Sequence, residues 1–164
     1  PDGLVEGGLN LQNYFAKAFE NIAMAKVATS AAEAMELGYI RKTENISLNR
    51  DQQIWDAKQL VLGLAKTYKK PRPAMIPVMG ENLRGLADAV LYNIRHGNFA
   101  SDYDVFVAKK VAYILSGGDC AEGTFVTEQH LLDLEKEAFL SLCGEQKTQD
   151  RIMYMLTNGK PLRN

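Results

Sequence analysis

The chain has 164 residues, 19 Lys+Arg against 20 Asp+Glu, 46% hydrophobic and 24% charged residues. That is enough for one domain with a real core, or for a piece of a larger protein. A net charge of -1 and a pI near 6.2 give no electrostatic basis for a nucleic-acid or acidic-membrane partner. No apolar run approaches the roughly 20 residues that cross a bilayer. Nor does the acidic, Gly-rich opening Pro1-Asp2-Gly3-Leu4-Val5-Glu6-Gly7-Gly8 resemble a signal peptide. Two cysteines, Cys120 and Cys143, make neither a disulfide framework nor a metal cluster, so the expected location is cytoplasmic. A first residue of Pro rather than Met reads as a processed or excised segment.

The dominant rhythm is helical. Leu11, Phe15, Ala18/Phe19, Ile22 and Ala25/Val27 line one face of a helix predicted over 9–28. Ser30 caps a short helix to Leu37, Glu33 reaches back, and Gly38 is the left-handed stop. Tyr39-Ile40-Arg41 is expected to be briefly extended, before a polar loop over 42–48. A third helix starts at Asn49 with Gln52 as its capping-box partner. Ile54, Trp55, Val61, Leu62 and Ala65 carry it to about Tyr68, and Pro71 excludes its continuation.

Beyond it, Ala74-Met75-Ile76 is ambiguous between strand and buried loop. Helices follow over 80–96, with Leu83, Leu86/Ala87, Val90/Leu91 and Ile94 inward, and over 101–115, closed by Gly117-Gly118. Thr127 caps a helix over 128–142, with Val126 poised to staple onto Leu131. A last helix spans 148–156 and ends at Asn158-Gly159-Lys160-Pro161. The expected fold is all-α, built of packed helical hairpins.

Chemical motifs are few. There is no GxGxxG after a strand and no GxxxxGK[ST]. His96 and His130 stand apart and suit helix ends, and no metal site is expected. Carboxylates for acid/base work are abundant in Asp102, Asp104, Glu122, Glu135 and Glu137, but such work needs a cleft that sequence does not show. The run Leu134-Glu135-Lys136-Glu137 reads as a solvated helical face. Cys143 lies near a helix C-terminal end, where the dipole disfavours a thiolate nucleophile. The six methionines fit as core filler. Lys66, Lys69, Lys70 and Arg72 bracket a proline turn. They read as a solvated helix end or, more sharply, with Lys69, Lys70 and Arg72 contacting a phosphorylated ligand such as the nucleotide of coenzyme A.

The stretch "SAAEAMELGYI" (Ser30 to Ile40) resembles the "SA-x-EA-x-x-x-G-[LY]-[VI]" element late in the enoyl-CoA hydratase, or crotonase, superfamily. "DAKQLVLGLAKTYKKP" (Asp56 to Pro71), "YDVFVAKKVAYILSGGD" (Tyr103 to Asp119), "LLDLEKEAFLSLCGEQKTQDRI" (Leu131 to Ile152) and "MLTNGKPLRN" (Met155 to Asn164) are similar to one branch. That branch is the bacterial fatty-acid oxidation protein in which a 3-hydroxyacyl-CoA dehydrogenase precedes an enoyl-CoA hydratase/isomerase-like module. "GKPLRN" resembles its natural carboxyl end. The resemblance implies that residues 1–70 are the C-terminal helical part of a crotonase-like domain and 71–164 a helical extension packed on it.

It also implies a parent enzyme of β-oxidation using NAD and acyl-CoA, with its oxyanion hole, acid/base glutamates, Rossmann fingerprint and His–Glu pair all upstream. No catalytic residue carries over, and the segment alone is expected to be inactive and to hold no cofactor. Its implied roles are packing, assembly and closure of the acyl-CoA pocket. Its partners would be the upstream crotonase and dehydrogenase domains, with a homo-oligomer as a further expectation. From another class comes the alternative of an independent helical protein-interaction module, motivated by the amphipathic helix over 9–28.

Overall fold

The computed structural model describes residues 11–41 and 46–164. The expected opening at residues 1–10 and most of the polar loop over 42–48 lie outside that range. The described residues form seven α-helices and one two-stranded pair, the mostly helical fold anticipated. The chain divides into two units: Pro1–Ala25 with Pro73–Asn164, and Lys26–Arg72.

In the first unit, α1 (Leu11–Ala23) turns Phe15 and Phe19 inward, each 5% exposed. The spacing of four puts both rings on one face. Helix α4 (Glu81–His96) does the same with Leu83, Ala87 and Leu91, and α5 (Asp102–Leu115) with Ala108 and Ala112. Phe19 packs into a cluster with Ala87, Leu91, Ala108 and Ala112, while Phe15 joins Met79 and Leu83. Small alanines where α4 meets α5 let the two backbones approach closely enough for the phenylalanines of α1 to fill the space. Helix α6 (Glu128–Cys143) packs on α5, and α7 (Gln146–Asn158) packs on α6.

Caps follow the sequence closely. Ser101 Oγ accepts from the Asp104 amide at 3.1 Å, and the Asp104 carboxylate accepts from the Ser101 amide at 2.9 Å, a complete capping box. Thr127 Oγ1 accepts from the His130 amide at 3.1 Å. Ambiguity over 74–76 resolves as β1 (Met75–Pro77), antiparallel to β2 (Phe125–Thr127) with Ile76 opposite Val126. Val126 is buried in that pairing.

Two glycines hold the turns beside this ribbon. Gly80 (φ 55) presses so close to the next loop that an added Cβ would sit 2.4 Å from the Cys120 carbonyl oxygen. At Gly117 (φ 82) a Cβ would meet the Val78 side chain at 2.8 Å. Only a residue without Cβ fits either place.

In the second unit, Ser30 caps α2 (Ala31–Leu37) and Gly38, at φ 84, ends it. Glu33 does reach back, but to the amide and hydroxyl of Thr29, both at 2.6 Å. Tyr39 and Ile40 bend instead of extending, and the Tyr39 hydroxyl donates to the Lys26 carbonyl at 2.5 Å. Asn49 caps a 3-10 turn over Arg50–Gln52 by accepting from the Asp51 amide at 3.0 Å. Helix α3 (Gln53–Ala65) follows, and Gln52 makes no side-chain cap bond.

Several boundaries differ from expectation. Helix α1 ends at Ala23, because Ala25 takes φ 49, and Val27 therefore lies beyond the helix and exposed. Helix α3 stops at Ala65, three residues short of Tyr68, whereas α7 outruns its predicted 148–156 at both ends. The methionines are not uniformly core: Met79 is buried, but Met24, Met75, Met153 and Met155 are exposed. No residue of α3 is buried; Ile54 is 85% and Trp55 62% exposed. Within the second unit nothing described covers the apolar side chains predicted to be its inner face.

Candidate functional site

Within the first unit, α1, α4 and α5 leave an apolar cleft of about 660 Å³. Its walls include Phe19 and Ala23 from α1, Leu91 and Ile94 from α4, and Val107 and Val111 from α5. The same periodicity that fills the core supplies this lining: Phe19 and Leu91 serve both, and Ala23, Ile94, Val107 and Val111 lie one helical step beyond buried residues. Pro161, Leu162 and Arg163, after α7, form a further side, and Asp104 and Arg151 stand at its polar edge.

That edge is a dense polar cluster. Arg151 Nη1 lies 2.8 Å from an Asp104 carboxylate oxygen. Arg151 Nε donates to Asn164 Oδ1 at 2.8 Å, and its guanidinium lies 4.9 Å from the Tyr103 ring centroid. The Tyr103 hydroxyl pairs with Thr148 Oγ1 at 2.6 Å. Partial burial tends to raise the Asp104 carboxyl. The hydrogen bonds from the Ser101 amide and hydroxyl and from Arg151 outweigh it and leave the group below its ordinary value.

A second cluster surrounds the Gly117-Gly118 turn. Arg84 Nη1 donates to the Gly118 carbonyl at 2.7 Å and pairs with Asp119 at 3.1 Å. Fully buried Ser116 donates to the Tyr113 carbonyl at 2.7 Å. Burial first, and then the Asp119 carboxylate, raise the Tyr113 phenol above its ordinary value. His130 Nε2 lies 3.0 Å from the Gly117 carbonyl oxygen, so that nitrogen carries the proton. Cys120 Sγ, 3.9 Å from the same nitrogen, therefore faces a donor and not a base. The arrangement holds a turn; it does not build a nucleophile.

The remaining residues singled out from sequence fall as follows. Lys69, Lys70 and Arg72 are all exposed in the irregular stretch after α3, and no ion pair or hydrogen bond among the described residues engages their side chains. His96 Nδ1 lies 3.0 Å from the Tyr92 carbonyl oxygen in the last turn of α4. Glu135 and Glu137 are exposed on α6, and Cys143 is a half-buried residue at its end. No group of three or more His, Cys, Asp or Glu among the described residues is placed to hold a metal. No described helix is long and apolar enough to cross a membrane. The cleft and the Arg151 cluster are absent from the sequence reading. The Ser101-x-x-Asp104 spacing was their one local signal, and it marks a helix start without foretelling Arg151 or Asn164.

Comparison with known proteins gives one informative match. A protein of Bacillus subtilis (strain 168) described as a probable 3-hydroxyacyl-CoA dehydrogenase is 44% identical over 160 residues, 96% of this chain. Those residues are 20% of the relative, so the chain spans about a fifth of its length. No family model matches the chain, and no solved structure matches it.

Proposed function

We propose that this chain is the helical C-terminal part of a fatty-acid β-oxidation enzyme, an NAD-dependent 3-hydroxyacyl-CoA dehydrogenase carrying an enoyl-CoA hydratase/isomerase-like module. The observation that carries the reading is the 44% identity, across nearly the whole chain, to a fifth of a probable 3-hydroxyacyl-CoA dehydrogenase. The crotonase-like element at Ser30 to Ile40 adds the second module. On this reading residues 1–70 close a crotonase-like domain, 71–164 extend it, and the enzyme works in the cytoplasm.

The role of the segment is packing, assembly and closure of the acyl-CoA pocket. Helix α3 supports that role, since Ile54, Trp55, Leu62 and Leu64 are exposed on a helix with no buried residue. A large uncovered apolar surface is a face made for another surface, here the upstream domains or a second subunit. The exposed cations Lys69, Lys70 and Arg72 suit the coenzyme A phosphates. The described residues do not fit NAD: their only strands form a three-residue antiparallel pair, without the parallel βαβ crevice that takes a dinucleotide. The oxidation of a 3-hydroxyacyl thioester is therefore assigned to the upstream part, and no step of it is routed through these residues.

The test is an activity comparison. The full-length protein should reduce NAD with a 3-hydroxyacyl-CoA, while the 164-residue segment neither does so nor hydrates a trans-2-enoyl-CoA. Turnover of either substrate by the segment alone would overturn the reading.

A further inference from the structure

Of the polar groups outside the turn cluster, the ones around Asn164 are the most densely connected. Gly159, at φ 63, ends α7 and turns the chain back, so that Pro161, Leu162 and Arg163 lie along the cleft. Asn164 is then held from two helices. Its backbone oxygen accepts from Ser101 Oγ at 3.0 Å and from Arg151 Nη2 at 3.3 Å. Its side-chain oxygen accepts from Arg151 Nε at 2.8 Å, and its side-chain nitrogen donates to the Lys147 carbonyl at 3.3 Å. Ser101 starts α5, and Lys147 and Arg151 lie on the first turns of α7.

Of residues 159–164 only Leu162 and Asn164 are partly buried, so packing does little to oppose the entropy of this stretch. Polar bonds at Asn164 are what fix it, and Arg151 is the hub. Its planar guanidinium serves Asp104 with one edge and Asn164 with two further nitrogens, over the face of Tyr103. Lysine could not reproduce that fork.

We infer that residues 159–164 are a strap, latched by Arg151, that covers one side of the apolar cleft and controls access to it. The occupant of that side is thus the chain's own Pro161 and Leu162, and release of the latch opens the cleft. The inference rests on the geometry of the first unit and is independent of the enzymatic reading above.

The test uses the full-length protein with one reporter thiol at a time, Leu162→Cys on the strap or Val107→Cys on the cleft wall. Each is labelled with N-ethylmaleimide and quantified by mass spectrometry of its own peptide. Arg151→Gln is expected to raise both labelling rates about tenfold or more. Asn164→Gly, which deletes only the side-chain half of the latch, should raise both by a smaller factor, and it serves alone if Arg151→Gln does not fold. Arg84→Gln, which breaks an ion pair in the other polar cluster, should change neither. The proposal is overturned if neither rate rises in a folded latch variant. It is equally overturned if position 162 is freed while position 107 stays protected, because the tail would then be latched without controlling the cleft.

Discussion

Two glycines five residues apart make opposing predictions from the same chemical change. Gly80→Ala places a Cβ 2.4 Å from the Cys120 carbonyl oxygen and 3.0 Å from the Glu122 nitrogen, at φ 55. Backbone held in such a region costs a side-chain-bearing residue about 1–3 kcal/mol. Moving the 120–122 loop away also strains the bonds from the Gly80 amide to Ser116 (3.1 Å) and from the Gly123 amide to Val78 (2.9 Å). Each such bond has a net worth of about 0.5–1.5 kcal/mol. The expected loss is therefore about 2–6 kcal/mol.

Gly85 sits inside α4, exposed, with nothing within 4 Å of its would-be Cβ. Gly85→Ala should gain about 0.5–1 kcal/mol from helix propensity alone. Urea unfolding followed by ellipticity at 222 nm separates the two. With a slope of about 1–3 kcal/mol per molar urea, Gly80→Ala lowers the midpoint by about 1 M or more, and Gly85→Ala raises it by a few tenths. A Gly80→Ala midpoint at or above that of the unmodified chain would refute the close-approach argument.

Three further outcomes follow from the same geometry. Leu83, 0% exposed beneath Phe15 and Met79, should cost about 2–5 kcal/mol when cut to alanine, measured by the same unfolding curves; a loss below 1 kcal/mol contradicts its place in the core. The Asp104 carboxyl, below its ordinary 3.8 when folded, contributes stability that is present above the unfolded value and lost as pH falls through the folded one. The stability gap between the unmodified chain and Asp104→Asn should therefore be flat from pH 7 to 5 and shrink below pH 4, and an NMR titration midpoint at or above 3.8 would refute this. Finally, if the proposed function holds, replacing Lys69, Lys70 and Arg72 together by alanine in the full-length protein should raise KM for acyl-CoA several-fold with kcat unchanged. A pantetheine thioester without the nucleotide should feel no effect, and equal KM changes for both substrates would dismiss the phosphate contact.

What the sequence disclosed depended on how local the cause was. Helix α4 was legible because Leu83, Ala87 and Leu91 repeat every turn and a neighbour covers them. The Thr127 and Ser30 caps were legible because each acts within three residues; the Ser101 cap has the same reach, but only the structure brought it out. The length of α1 was not, since Ala25 turns the chain with a positive φ that an alanine does not advertise. Pairing of Ile76 with Val126 joins two three-residue strands far apart in sequence, too short for alternation to show. Exposure on α3 was hidden for the opposite reason: periodicity reveals which side chains seek cover but not whether the same segment supplies it.

The candidate site was less legible than the fold. The basic group Lys69, Lys70 and Arg72 stood out as a charge run, which is a one-dimensional signal. The cleft needs three helices at once, and its edge brings Arg151 to Asp104 and Asn164 across unrelated stretches of chain. No window of sequence holds those residues together. The Ser101-x-x-Asp104 spacing is the one local trace of that corner, and it marks only a helix start.

The central claim is that these residues are the helical tail of a much longer β-oxidation enzyme. The most direct test is the size of the native polypeptide, read with an antibody raised against residues 148–164 on a cell lysate. The account predicts a band about five times the 18.2 kDa of this segment, because the segment spans 20% of its relative. A native band at the segment's own size would contradict it and leave an independent helical interaction module in its place.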